Sequence, residues 1–254
     1  MKGAPPNPYP GRAVTFDFGQ VLASLDPAYL AEKLAAHRIV VGVPLLEAAM
    51  PAGWEAYGRA LSQGGHGGTA WKTFLRTVIE GAGQRAPEEV LDFLFRDQRP
   101  RNLWRRPVPG MIEVARALSA RGVPVGIVSN SEGALSTLVA SLGWTSDFPI
   151  VADSGHLGME KPGAAIFAWT AERLGVPSAG LVHIGDSWAA DVCGALALGA
   201  HAVWFIEGER DPVPLRDDDG QARLSVAHDA AGVQRAVDAA LANFPPGARR
   251  RSLQ

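Results

Sequence analysis

From Pro107 to Ile206 the chain alternates short apolar runs with helix-like stripes, and few folds accept that texture. The runs cover 123–128, 150–151, 181–184 and 201–206. Between them lie a stripe of Leu135, Leu138, Val139 and Leu142 and two further helical stretches over about 164–174 and 188–198. An earlier stripe, Met111, Val114, Ala115 and Leu118, ends at Gly122. Strands alternating with helices of this length imply βαβ units and therefore a parallel sheet. The expected fold is α/β, a Rossmann-like parallel sheet with helices on both faces.

A further strand stands upstream. Residues 13–22 read AVTFDFGQVL, an apolar run that delivers Asp17 and turns at Gly19 and Gln20. Ligands of open α/β sheets bind outside the carboxyl ends of the strands, so Asp17 is aimed at the active-site edge.

The stretch between this strand and Pro107 has a different character. Trp71, Phe74, Leu75, Val78 and Ile79 fall at helical spacing behind Thr69, a candidate cap. Pro87 opens another helix with Val90, Leu91, Leu94 and Phe95 inside. A Gly-rich segment, Gly64–Gly68, reads as a flexible loop carrying His66. Trp104, Arg105 and Arg106 mark a hinge on the return. The expected domains are a discontinuous α/β core over 10–25 and 105–245, an all-helical insert over 26–104, and disordered tails at 1–9 and 246–254.

Bulk properties exclude several functions. Twenty-four basic and 26 acidic residues leave a net charge of −2, which is no footprint for nucleic acid. The one basic cluster, Arg249, Arg250 and Arg251, reads as a solvated end. No run approaches the roughly 20 apolar residues of a membrane span. The N-terminus lacks the apolar segment of a secretory signal, and Cys193 is the sole cysteine, so no intrachain disulfide can form. A cytoplasmic monomer or homodimer is expected. Cys193, between apolar neighbours, reads as buried packing, and Lys33 and Lys72 as solvated.

Four strand ends carry polar groups: Asp17, Ser129 with Asn130, the Lys161 loop, and Asp186 with Asp191. Each alone has an ordinary reading as a cap, a turn or a solvated residue. Together at one sheet edge they suit phosphoryl chemistry. A hard divalent cation takes carboxylate oxygens, a part that Asp17 and Asp186 fit. An aspartate can also serve as nucleophile. Ser129, beside the backbone N–H groups of a helix start, suits phosphoryl oxygens, with Asn130 adjacent, and Lys161 offsets crowded negative charge.

The stretches FDFGQVL (16–22), VPGMIEVARALSARGVPVGIVSNS (108–131), GMEKPGAAIF (158–167) and HIGDSWAADVCGALALGAH (183–201) resemble the haloacid dehalogenase-like hydrolase superfamily, in its branch with a helical cap after the first strand. The resemblance implies Asp17 as nucleophile and Mg²⁺ held by Asp17, the Gly19 carbonyl and Asp186. It places Asp191 in the outer metal shell and Ser129 and Lys161 on the phosphoryl group. It makes the helical insert a cap that selects the substrate. Within that insert Trp54, Tyr57, Arg59, His66 and Trp71 are pocket candidates, and helical packing explains the aromatics equally well. The implied activity is Mg²⁺-dependent hydrolysis of a small-molecule phosphate ester. The alternatives are a metal-independent 2-haloacid dehalogenase and a catalytically weak phosphate-binding module. One position departs from the pattern: most phosphatases of the superfamily carry a second Asp two residues after the nucleophile, as general acid/base, where this chain has Gly19.

Overall fold

A computed structural model describes residues 5–64, 67–98, 102–207 and 223–243. The chain divides into two compact units, Met1–Ser24 with Arg106–Gln254, and Leu25–Arg105.

The first unit begins with β1 (Ala13–Phe16), every residue of which is buried. The chain leaves it through β2 (Ala23–Leu25). The helical unit then runs through α1 (Pro27–Ala36), α2 (Val43–Ser62), α3 (Gly67–Gly81) and α4 (Glu88–Arg96). The return is β3 (Trp104–Pro107), which pairs with β2, so the expected hinge is a strand.

In the helical unit Asp26 caps α1, its Oδ1 accepting from the amides of Ala28 and Tyr29 at 2.9 and 3.1 Å. Leu30, Leu34, Leu46, Phe74, Leu75 and Leu91 are wholly buried and form its core. Helices α2 and α3 approach closely at Gly53, where a Cβ would stand 2.5 Å from Val78. Trp54 and Trp71 pack with Phe74, at ring separations of 4.2 and 4.9 Å, and Arg59 pairs with Glu55 in solvent. Trp54 and Trp71 thus take part in the unit's own packing, and His66 lies outside the described residues.

Other expectations in this unit are corrected. Gly67 and Gly68 belong to α3, and Thr69 sits inside that helix rather than capping it. Lys33 is buried against Asp97, and Lys72 is half-buried against Asp92. Each stem covers apolar surface while its ammonium finds a carboxylate.

The remaining elements complete the α/β unit: α5 (Met111–Ala120), β4 (Val125–Ser129), α6 (Leu135–Ser141), β5 (Ile150–Asp153), α7 (Ser154–Leu157), α8 (Ala164–Arg173), β6 (Leu181–Gly185), a π turn (Trp188–Val192), α9 (Cys193–Ala197), β7 (His201–Phe205), β8 (Leu224–Ala227) and α10 (Ala230–Asn243). The six-stranded sheet has the order β5-β4-β1-β6-β7-β8, and all its pairs are parallel. One face packs on Ile166, Phe167 and Ala171 of α8 and Ala195 of α9, while α5 and α10 lie against β4 and β7. Phe16, Phe148 and Phe167 are fully buried, each contributing about 1.5–3 kcal/mol by leaving water.

Three differences from the sequence expectations have physical causes. Residues 5–12 pack on the core rather than forming a loose tail: Asn7 Nδ2 donates to the Arg12 carbonyl at 2.9 Å, and Arg121 donates to the Tyr9 hydroxyl at 2.9 Å. Cys193 is exposed, because its neighbours Val192, Gly194 and Ala195 take the inward face. Strand β8 is an edge strand, paired on one side only by β7 and only partly buried, so it lacks an apolar signature. Among the described residues no helix is long and apolar enough to cross a membrane.

Candidate active site

Register brings the strand ends together. Phe16 stands beside Ile127 of β4 and Ile184 of β6, so the residues after all three leave the sheet at one edge. Successive connections run to opposite sides of β1, which makes this edge the switch point where α/β proteins bind ligands. Asp17 follows β1 directly, and its amide still donates to the Ile184 carbonyl at 2.8 Å. The chain then curls through Phe18–Leu22, with Gln20 at a positive φ of 58° and Gly19 in the loop.

Lys161 is the centre of the site. Its Nζ, 4% exposed, donates to Asp17 Oδ1 at 2.7 Å and to Asp191 Oδ1 at 2.6 Å. Its backbone is clamped by Asn130, whose Oδ1 accepts from the Lys161 amide at 2.8 Å and whose Nδ2 donates to the Lys161 carbonyl at 3.0 Å. The Asn130 carboxamide, expected on phosphoryl oxygens, is thus engaged on the Lys161 peptide. Ser129 is buried at the end of β4, and its hydroxyl favours the ionised form of the Asp17 carboxylate.

Asp191 is held on both oxygens. Besides Lys161, Oδ1 meets His183 Nε2 at 3.0 Å, and Oδ2 accepts from the Ser187 amide at 3.0 Å. Gly185 allows this approach, since a Cβ there would fall 2.2 Å from Asp191 Cγ. Asp186 lies at the exposed mouth, its carbonyl accepting from Trp204 Nε1 at 2.9 Å.

Sequence reasoning missed two polar residues. Asp153 collects Ser131 Oγ at 2.7 Å and the amides of Gly133, Leu135 and Gly155 at 2.9–3.0 Å, and so shapes the loop after Ser129 and Asn130. His183 joins Asp191 to Thr15 across the sheet. Both sit in apolar strands, and the only available signal was a polar residue where burial demands a partner.

Electrostatics follow from crowding. Burial pushes the Asp17 carboxyl up, opposed by Lys161 and helped by Asp191. Burial alone would raise Asp191 too, but Lys161 and His183 hold it well below the usual carboxylate range. The Lys161 ammonium is raised: burial lowers it, and Asp17 and Asp191 more than compensate. Asp186, surrounded by protein on its inner side and facing Asp17 and Asp191, is pushed up to about 8. Its open side to solvent moderates that shift, and the direction reflects negative charge that one lysine does not balance.

The donor set fits a hard divalent cation. Oxygens of Asp17, Asp186 and Asp191 lie within 4.8 Å of one another. Asp191 already has its hydrogen-bond partners, so Asp17 and Asp186 are the pair with capacity left, and Mg²⁺ usually takes one or two carboxylates.

The family model for hydrolases described as haloacid dehalogenase-like matches residues 12–199. The chain belongs to that family. Among its haloacid dehalogenase-like relatives, the mouse "Haloacid dehalogenase-like hydrolase domain-containing protein 3" is 28% identical over 220 residues, covering 80% of this chain and 87% of that protein. A phosphoserine phosphatase of Thermus thermophilus is 29% identical over 149 residues, 57% of this chain and 58% of that one. The fold matches the putative hydrolase YfnB of Bacillus subtilis, solved with bound magnesium, at a TM-score of 0.65 and 19% identity, covering 88% of this chain and 97% of that chain. As a haloacid dehalogenase-like protein, the chain is a hydrolase.

Proposed function

We propose that this hydrolase is a Mg²⁺-dependent phosphatase that cleaves a small phosphorylated metabolite through Asp17. One observation carries the reading: Lys161 is buried between Asp17 and Asp191, while Asp186 brings a further carboxylate to the same edge. A second carboxylate near the nucleophile suits a cation that shields an approaching phosphate dianion. The phosphatase named among the relatives supports the same class of chemistry.

Asp17 Oδ attacks phosphorus, the ester P–O bond breaks, and the alcohol departs with a proton from solvent. Water then attacks the phosphorus of the aspartyl-phosphate, releasing phosphate and restoring Asp17. Ser129 and Lys161 hold the phosphoryl oxygens through both steps. Asn130 fixes Lys161 from behind. Asp17 and Asp186, with the Gly19 carbonyl, would hold a Mg²⁺, which would supply neutralisation of the phosphoryl charge. The helical unit, 25–105, is the part to which we assign substrate choice.

The experiment is a panel of phosphate esters with Mg²⁺, repeated in EDTA. Turnover that EDTA abolishes is expected. Dehalogenation of 2-haloacids that persists in EDTA would replace this reading. Beryllofluoride stabilisation without turnover of any ester would leave a binding module.

A further inference from the structure

His183 has no place in the chemistry above, and its setting demands one. It lies in the middle of β6, 1% exposed, between Val182 and Ile184. Its ring stands edge-on to Phe167, with centroids 5.0 Å apart at 85°. A polar ring in such a place is costly unless both nitrogens are satisfied. Both are: Nε2 is 3.0 Å from Asp191 Oδ1, and Nδ1 is 3.0 Å from Thr15 Oγ1.

These contacts assign the hydrogens. Asp191 is an ionised carboxylate and only accepts, so the proton sits on Nε2. In the neutral ring Nδ1 is then a lone pair, and the Thr15 hydroxyl donates to it. The result is a continuous buried chain from Thr15 through His183, Asp191 and Lys161 to Asp17. Thr15 and Asp17 sit two residues apart on β1 and its extension, so the chain closes on the strand where it began.

We propose that His183 is a positioning residue for the phosphoryl-transfer site, orienting Asp191 so that Lys161 stays on Asp17, with Thr15 selecting the Nε2–H tautomer that makes this possible. The proposal rests on the phosphatase reading of the same site. Asp191 Oδ1 is shared by Lys161 and His183, and the Ser187 amide holds Oδ2. Three donors from three elements fix one carboxylate. Without His183 the carboxylate can turn about its Cβ–Cγ bond, and the ammonium between two aspartates loses its defined seat. An outer hydrogen bond of this kind to a site ligand typically governs about 10–100-fold in activity.

The test uses the full chain in three variants and one spectrum. His183→Leu keeps the apolar volume and removes both nitrogens. His183→Gln places an amide N–H near the position of Nε2, whereas His183→Asn reaches only the position of Nδ1. With an aryl phosphate and saturating Mg²⁺, the expected result is a kcat lowered about 10–100-fold in Leu and Asn with KM nearly unchanged, and largely restored in Gln. A folded Leu variant with wild-type kcat overturns the proposal, and so does a Gln variant as slow as Asn. If Leu fails to fold, the comparison of Gln with Asn decides. Long-range ¹H–¹⁵N NMR of the metal-free wild type reads the His183 tautomer without any turnover. Nε2–H is expected, and Nδ1–H would overturn the proposal. A wild type that hydrolyses no ester sinks the phosphatase reading instead, and the NMR result then decides the His183–Asp191 arrangement alone.

Discussion

Asn130 and Lys161 are joined by a reciprocal pair of hydrogen bonds, side-chain amide to backbone peptide, at 2.8 and 3.0 Å. The end of β4 thereby holds the loop that carries the site's ammonium group. Two bonds at about 1 kcal/mol each predict that Asn130→Ala lowers stability by about 1–3 kcal/mol with no ligand present. Urea unfolding measures it. If stability is unchanged and only KM rises, Asn130 acts on the substrate's phosphoryl oxygens instead.

Asp186 and Asp191 should respond differently to removal. Asp191 is buried under Lys161 and His183, so Asp191→Ala leaves cationic and polar groups without their partner and costs on the order of 3 kcal/mol in stability. Asp186→Ala removes an exposed carboxylate and should weaken Mg²⁺ binding far more than it weakens the fold. Calorimetric Mg²⁺ titration beside thermal melts separates the two. Equal Mg²⁺ affinities in both variants would reverse the assignment.

The same crowding sets a pH dependence. Asp186 is raised to about 8 when folded, above its ordinary value of about 4, so the native state holds a proton that the unfolded chain has released. In the metal-free protein this group therefore subtracts stability as pH rises from about 4 to about 8. Asp17 acts in the same direction, and Asp191, depressed, contributes stability that is lost only as pH falls below about 4. Asp186→Asn or saturating Mg²⁺ should flatten the slope between about 5 and 8 in thermal melts. A metal-free wild type whose stability rises through that window would contradict the account.

The sequence carries the interior strands of the sheet and its edge strand β5, and loses β8 and the short β2 and β3. Runs such as 13–16 and 181–184 are mostly apolar and buried throughout because helices cover both faces, and they form β1 and β6. Strand β8 has one partner and a half-exposed LSVA, and β2 and β3 are three and four residues long, so none leaves a period to read. Within the site, Asp17 and Ser129 stand at strand ends, Lys161 in a loop and Asp191 in the π turn after β6, where polar residues catch attention. His183 stands inside a buried strand, Asp153 closes β5 where an aspartate reads as a plain helix cap, and most of their partners come from distant positions. No spacing rule connects Thr15 with His183 across 168 residues, or Lys33 with Asp97 across 64.

Under the proposed phosphatase activity, Gly19 should shape the substrate preference. A positioned acid that protonates the leaving oxygen is worth about 10²–10⁴ in rate, and glycine offers none. Aryl phosphates, whose leaving group departs unaided, should be cleaved faster than unrelated alkyl phosphates, with a steep dependence on leaving-group pKa. Gly19→Asp should raise the alkyl rate selectively. A flat dependence in the wild type points to another proton donor, and His66→Ala tests that residue. A flat dependence that survives His66→Ala contradicts this account of the site.

The nucleophile is the most direct point of attack. Asp17→Asn keeps the shape of the side chain and its contact with Lys161 while removing the oxygen charge that attacks phosphorus. Phosphate release from the best ester of the panel, under saturating Mg²⁺, should fall to background in a variant that melts as cooperatively as the wild type. Turnover within about tenfold of wild type, only about 1.4 kcal/mol of barrier, would contradict the aspartyl-phosphate mechanism.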